Sequence, residues 1–366
     1  MTPLLPVLAG EQPPSGFLQK TVLLGLQSIG RLYGLIQAAR AFVYKAGIFT
    51  SYSAPCSVIS VGNLTAGGTG KTPMVLWLAK YFQDQGRQVA VVSRGYRQQS
   101  KKPVTIVADP NHVLLNAPQA ADEAVLIAQK LPGVTVLTGP DRRKTIALAT
   151  QKYGCDLIIM DDAFQHLQVR RQLDLLLLDC NNPFGNGEIL PGGMLREFPS
   201  ALRRCDGLII TRADDPEKLQ STKKMVEKID PKTPICHAIH QPTGWIKVTQ
   251  DGQQQPTTIT IDQLKNIPVL AFCGIAKPAA FEQTINNLSL SIKAFQPFTD
   301  HHIFDDKTID QLLDQAEKLQ AQALVCTEKD AVKIQAKTCR LPIYALSLEL
   351  HLPKISPWLI KQLDTI

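Results

Sequence analysis

The chain has 366 residues, 44% hydrophobic and 19% charged, which is enough for about two packed domains and argues against global disorder. Its eight cysteines form no C-x-x-C pair and no zinc-finger spacing with histidine, so they read as buried or incidental thiols in a reducing compartment. The formal charge of +7 is weighted to the N-terminus, where Lys20, Arg31, Arg40, Lys45, Lys71 and Lys80 stand against Glu11 alone.

The first predicted element is a helix over residues 17–47. Leu18, Val22, Leu26, Ile29, Leu32 or Tyr33, Ile36, Ala39 and Val43 recur at helical spacing, with Lys20, Gln27, Arg31 and Gly34 on another face. Its longest uncharged run, Thr21 to Gly30, is too short to span a bilayer, and no small-residue cleavage site follows a basic leader. An apolar face with basic flanks fits an anionic membrane surface. A helix packed over the next domain fits equally, and the two readings are compatible.

The β-branched run Ser57 to Leu64 leads into Thr65-Ala66-Gly67-Gly68-Thr69-Gly70-Lys71-Thr72-Pro73 and then a helical pattern over residues 74–83. A strand, a glycine-rich turn and a helix start aim backbone N–H groups at one point, where a polyphosphate binds. Lys71 would reach the β- and γ-phosphates and the Thr72 hydroxyl would hold Mg²⁺. The phosphate-loop template asks for glycine where Thr65 stands.

Val89–Ser93 is a second buried strand, followed by Arg94-Gly95-Tyr96. A strand at 104–107, a helix at 118–130, a strand at 134–138 and a helix from Asp141 to about Lys152 come next. Strands at 156–160, 174–178 and 207–210 end in Asp161-Asp162, Asp179 and Thr211-Arg212. Alternating apolar strands and helices mean a parallel sheet with ligands at its carboxyl ends. The expected fold is therefore α/β: a P-loop NTPase-like parallel sheet domain, a second, smaller α/β domain and an N-terminal amphipathic helix. The boundaries are 1–50 for the helix, 51–232 for the nucleotide domain, 233–262 for a β-stranded linker and 263–366 for the C-terminal domain.

Asp161 and Asp162 occupy the place of a Walker B acid and are candidates for Mg²⁺ opposite Thr72. Residue physics alone reads Asp122-Glu123 as acids at a helix start, and Arg142-Arg143-Lys144 as either a solvated helix start or a phosphate clamp. Asp300-His301-His302 could shuttle a proton or lie on the surface. Thr211-Arg212-Ala213-Asp214 echoes the guanine-reading element of GTPases, with arginine in place of lysine.

Together these elements resemble the tetraacyldisaccharide 4′-kinase (lipid A 4′-kinase) family. The resemblance is carried by Gly62-Asn63-Leu64, the Gly67–Pro73 loop, Ser93-Arg94-Gly95-Tyr96, Asp122-Glu123-Ala124, Asp161–His166, Gly185-Asn186-Gly187, Leu190–Glu197, Asp300-His301-His302 and Thr327–Lys333. It implies ATP- and Mg²⁺-dependent phosphorylation of the 4′-hydroxyl of a tetraacylated glucosamine disaccharide 1-phosphate. The enzyme would be peripheral, at the cytoplasmic face of the inner membrane, with a lipid disaccharide and the membrane surface as partners and no nucleic acid.

By matching positions, the resemblance makes Asp122 the base, with His301 as its partner. Asp161 and Asp162 become Mg²⁺ and catalytic acids, Glu197 a further metal-linked carboxylate, and Lys71 a catalytic lysine. Thr65, Ala66, Gly67, Gly68, Thr69, Gly70, Lys71 and Thr72 would bind ATP, and Asn63, Arg94, Tyr96, Arg142, Gln165 and Arg196 would meet substrate or phosphate. The family usually has glycine at the positions of Ala121 and Ala163, so the backbone there is expected to differ slightly. A membrane-associated switch ATPase or GTPase and a non-catalytic nucleotide-binding scaffold are the rival readings.

Overall fold

The structure is a computed structural model that describes residues 4–248, 258–334 and 340–366. Cys339 and residues 249–257 of the expected linker lie outside the described residues. Two compact units emerge: the first comprises residues 1–94, 139–239 and 350–366, the second residues 95–138 and 240–349. Residues 95–138 therefore cluster with the C-terminal half rather than with the phosphate loop, and the last residues return to the first unit.

The strands in chain order are β1 (Ser57–Asn63), β2 (Val89–Ser93), β3 (Thr105–Ala108), β4 (Thr135–Thr138), β5 (Leu157–Asp161), β6 (Leu173–Asp179), β7 (Gly207–Thr211), β8 (Ile235–His237), β9 (Ile239–Lys247), β10 (Thr258–Ile259), β11 (Pro268–Cys273), β12 (Ser291–Pro297), β13 (Ala323–Thr327) and β14 (Ile343–His351). The α-helices are α1 (Leu4–Leu8), α2 (Gly16–Lys45), α3 (Lys71–Asp84), α4 (Asp122–Lys130), α5 (Arg142–Tyr153), α6 (Pro216–Ile229), α7 (Pro278–Asn287), α8 (Asp306–Lys318), α9 (Glu328–Ala331) and α10 (Pro357–Asp364).

In the first unit the strands run β2-β5-β1-β6-β7-β8, every neighbouring pair parallel. β1, β5, β6 and β7 are buried along almost their whole length, as near-continuous apolar runs must be when both sheet faces are covered. The β1–β5 register pairs Val61 with Asp161, so the acid pair emerges beside the start of the phosphate loop. Gly62 is obligatory there: a Cβ would lie 2.5 Å from the Phe164 nitrogen, in the turn after β5. Helix α6 adds to the expected elements; only Thr222 and Val226 of it are buried, so its apolar signal in the sequence is thin.

The expected helix over residues 17–47 is α2, but the side it turns to the protein is the small-residue side. Leu23, Gly30 and Gly34 are its buried residues, while Leu18, Val22, Ile29, Leu32 and Ile36 of the apolar stripe are exposed, together with Phe17, Leu24, Leu35 and Phe42. Gly30 admits the Ile189 carbonyl, Gly34 admits the Ile189 and Phe198 side chains, and Gly192 lets the Gln27 backbone approach. Arg31 pairs with Glu188 at 2.7 Å, and Arg40 donates to the Gln165 carbonyl at 3.2 Å. Among the described residues no helix is long and apolar enough to cross a membrane.

In the second unit β3 and β4 are antiparallel, and a further sheet runs β10-β9-β14-β13-β11-β12. Its β14-β13-β11-β12 part is parallel and β9–β10 is antiparallel. Leu270 and Phe272 of β11 pack with Ile309, Leu312 and Leu313 of α8. The alternate residues Val269, Ala271 and Cys273 pack with Phe281 and Ile285 of α7, so the period of two splits β11 between two cores.

Glycines of α2 separate docking from helix propensity. Gly25→Ala meets nothing within 4 Å and is expected to stabilise the protein by up to ~1 kcal/mol. Gly30→Ala puts a Cβ 2.3 Å from the Ile189 oxygen and is expected to destabilise it by about 1–3 kcal/mol. Thermal unfolding of the two variants should give shifts of opposite sign; equal shifts would mean that the glycine face is not packed.

Candidate active site

In the first unit, Gly67 and Gly70 take positive φ of 114° and 82°, which turns the chain from β1 into α3. Thr65, where the template has glycine, is not among the positive-φ residues and instead forms an isolated antiparallel bridge with Leu195. Ala66 N donates to Met194 O at 2.7 Å and Arg196 N to Leu64 O at 2.7 Å, so residues 194–196 run along the loop as a brace. On the other side, Thr211 Oγ1 donates to Thr69 O at 2.8 Å and Arg212 Nη2 to Gly68 O at 2.9 Å, while Arg212 is ion-paired with buried Asp179. Arg212 thereby braces the loop from the end of β7.

Asp161 and Asp162 follow at the carboxyl end of β5. Asp161 is 2% exposed. Asp162, at a positive φ of 51°, stands 3.5 Å from Lys71 Nζ and 2.8 Å from Arg196 Nη1. Burial would push the Asp162 carboxyl up, but Lys71 and Arg196 outweigh it and hold it below the usual carboxylate range. The left-handed conformation falls on Asp162 and not on Ala163, and Ala121 has an ordinary extended backbone (φ −64°, ψ 135°). Neither alanine thus occupies a conformation that demands glycine.

Several expected contacts turn out to be braces. Asn63 is fully buried and its Nδ2 donates to Thr65 O at 2.7 Å and to Gly67 O at 3.4 Å, so it shapes the loop rather than facing substrate. Gln165 Nε2 donates to Asn63 O at 3.0 Å. Glu197, expected near the metal, has its two oxygens engaged by Arg204 at 2.7 and 3.0 Å, and Arg204 lies over the Phe164 ring at 4.5 Å. A carboxylate already committed to a bidentate arginine is a structural ion pair, which leaves Asp161 and Asp162 as the acids that could hold a metal.

Arg142 is 3% exposed, which decides against a solvated helix start. Its Nη1 donates to Gly139 O at 2.9 Å, and burial pulls its guanidinium down to about 10 against the opposing charges of Asp161 and Asp162. Arg142 Nε and Thr69 Oγ1 are both buried and make no hydrogen bond among the described residues. A buried cationic N–H and an orphaned hydroxyl are fitting partners for phosphate oxygens. Thr72 lies in the first turn of α3, next to Lys71. Two carboxylates and a hydroxyl are the few hard oxygen ligands Mg²⁺ takes when phosphate and water complete its shell.

In the second unit, Asp122 opens α4 and is 7% exposed. Its Oδ2 accepts from His301 Nδ1 at 2.8 Å and its Oδ1 from Glu123 N at 3.1 Å. Burial alone would raise the Asp122 carboxyl, but the His301 hydrogen bond and the charges of Lys329 and Lys333 hold it below the usual range. His301 itself has φ 64° and is anchored by its backbone N to Gly274 O at 3.2 Å. Tyr96, 63% exposed, lies 6.3 Å from the His301 ring, so the structure brings these expected residues together. Arg94 belongs to the first unit, where its charge opposes that of Arg142.

The bracing of the loop by Thr211, Arg212 and Asp179, and the ion pairs made by the charged residues of α9, were not among the expected roles of these residues. Asp179 and Arg212 were legible as residues at the ends of adjacent strands, but only once β6 and β7 are known to be neighbours. His166 is a separate case: burial, with Arg142, Arg171 and Arg40 nearby, lowers its imidazole from 6.5 to about 4. The fold therefore favours neutral His166, and this contribution is complete above pH 6.5 and lost as pH falls toward 4. Chemical denaturation across that window should show a flatter pH dependence for His166→Gln than for the parent; parallel curves would contradict the assignment.

Residues 22–365 match the family described as tetraacyldisaccharide-1-P 4′-kinase. The chain is 39% identical over 321 residues to the tetraacyldisaccharide 4′-kinase of Geobacter sulfurreducens, covering 87% of each chain. It is 37% identical over 330 residues to that of Desulfatibacillum aliphaticivorans, covering 89% of this chain and 88% of the relative. Among solved structures, the "apo" form LpxK from Aquifex aeolicus in complex with ATP superposes with a TM-score of 0.74 at 28% identity, covering 94% of this chain and 98% of that one. The phosphate loop, the acid pair and the Asp122–His301 pair thus sit in a chain that belongs to the tetraacyldisaccharide-1-P 4′-kinase family.

Proposed function

We propose that the chain is an ATP-dependent kinase that phosphorylates the 4′-hydroxyl of a tetraacylated glucosamine disaccharide 1-phosphate in lipid A biosynthesis. The observation that carries this reading beyond family membership is the hydrogen bond of 2.8 Å between Asp122 and His301. A buried carboxylate held ionised by an imidazole is what an alcohol acceptor requires and what a switch ATPase can do without.

The chain's own residues divide the work. Lys71 and the loop nitrogens bind the triphosphate, and Arg142 and Arg196 meet phosphate oxygens as charge builds on them. Thr72, Asp161 and Asp162 would hold Mg²⁺, which when bound neutralises phosphate charge. Asp122 takes the proton of the sugar hydroxyl, and His301 orients the carboxylate. Tyr96 and Arg94 are assigned to substrate.

The exposed apolar residues of α2 support a peripheral position on a membrane surface; the family suggests the cytoplasmic face of the inner membrane, with the acyl chains left partly in the bilayer. Association with vesicles that contain anionic lipid should be strong and should weaken as salt is raised.

The test is transfer of label from γ-labelled ATP to the lipid disaccharide. Lys71→Ala and Asp122→Asn should each lower labelled lipid by about 10²-fold or more, with native circular dichroism. Chelation of divalent cations should stop the reaction and Mg²⁺ restore it. Full turnover by Asp122→Asn would remove it as the base, and label released only as free phosphate would favour a switch ATPase.

A further inference from the structure

The turn that carries Thr327-Glu328-Lys329-Asp330-Ala331-Val332-Lys333 touches both segments that bear the Asp122–His301 pair. Toward α4, Glu328 pairs with Lys130 at 2.7 Å and accepts from Ser347 Oγ at 3.0 Å, while Lys329 Nζ pairs with Glu123 at 3.2 Å. Toward His301, Lys329 Nζ lies 3.8 Å from Asp300 Oδ1, and Asp300 Oδ2 lies 3.5 Å from His301 Nε2. Beneath it, Asp330, fully buried, accepts from Gly274 N at 3.0 Å and pairs with Lys333 at 2.8 Å, and Lys333 donates to Gly274 O at 3.1 Å. Gly274 O is also the acceptor for His301 N.

We propose that Lys329 is a positioning residue for the Asp122–His301 pair: its ammonium, shared by Glu123 and Asp300, ties the start of α4 to the His301 turn and supplies positive charge beside Asp122. The proposal rests on the reading of Asp122 as the base. Lys329 is suited to the task because α9 fixes its backbone: Thr327 caps the turn by accepting from Asp330 N at 3.1 Å, and Asp330 and Lys333 lock it to the end of β11. The side chain is 22% exposed, so its charge is screened less than that of a surface lysine.

The charged groups around Asp122 are few. His301 and Asp300 come from the turn after β12, Glu123 from α4, and Lys329 and Lys333 from α9 and the residues after it. Arg97 reaches the Asp300 carbonyl at 3.2 Å and so adds positive charge to the same turn. Asp122, Glu123 and Asp300 in turn hold the Lys329 ammonium in its charged form against the cost of burial.

The experiment is the pH profile of kcat/KM for lipid phosphorylation by the full chain, with ATP saturating. Lys329→Gln is expected to move the acid limb to higher pH, so that the rate drops several-fold on the acid side and recovers above it. KM for ATP should stay unchanged, and Lys329→Arg should restore the profile. Glu123→Gln, at a half-exposed position, removes a negative charge next to Asp122 and is expected to move the limb the other way.

Opposite shifts are what a charge role demands. A loss in both variants with unmoved limbs, or no change in either, would overturn the proposal, and Glu123→Gln decides it if Lys329→Gln does not fold. Asp122→Asn in the same series keeps the two readings apart: if it retains activity the base assignment fails, whereas its inactivity beside an unmoved Lys329→Gln profile defeats the Lys329 proposal alone.

Discussion

The Asp162 carboxylate takes charge from Lys71 of the phosphate loop and from Arg196 of the bracing segment, and much of the first unit is arranged around that junction. The positive φ at Asp162 and the absence of a side chain at Gly62 let the turn after β5 fold back onto β1. Without an anion to share, two cations beside one another would repel, so the carboxylate keeps the cradle ordered before nucleotide arrives. Residues 189–198 extend the junction outward: Met194, Leu195 and Arg196 run along the loop, while Ile189, Gly192 and Phe198 receive α2. One short segment therefore serves both the phosphate cradle and the helix that displays exposed apolar residues.

The second unit solves a different problem, that of holding a buried carboxylate ionised. Asp122 gains from its place at a helix N-terminus, from the imidazole of His301 and from the positive charge of α9. Burying two members of an ion pair costs desolvation, and the Asp330–Lys333 pair meets it by also satisfying the backbone of Gly274. That backbone is in turn what anchors His301.

The β-branched strand, glycine turn and Lys-Thr of residues 57–72 were legible because local order alone specifies a phosphate loop. The strands that end in Asp161, Asp179 and Thr211 were legible from their apolar runs. The face of α2 against the protein was not: Gly30 and Gly34 carry no hydrophobic signal, and periodicity marks large apolar residues whether they meet protein or solvent. Asn63, Gln165 and Glu197 were visible in the right motifs, but whether an amide or carboxylate faces ligand or a neighbouring backbone depends on contacts distant in sequence. Asp122 on its own looked like a helix-start acid; its partner lies 179 residues away, so only resemblance or coordinates could join the two.

The most direct measurement is ³¹P NMR of the lipid product made by the purified chain from ATP, Mg²⁺ and tetraacyldisaccharide 1-phosphate. The account predicts a second phosphomonoester resonance that couples to the proton on carbon 4′. Growth of ADP and inorganic phosphate signals, with the disaccharide still a monophosphate, would contradict it.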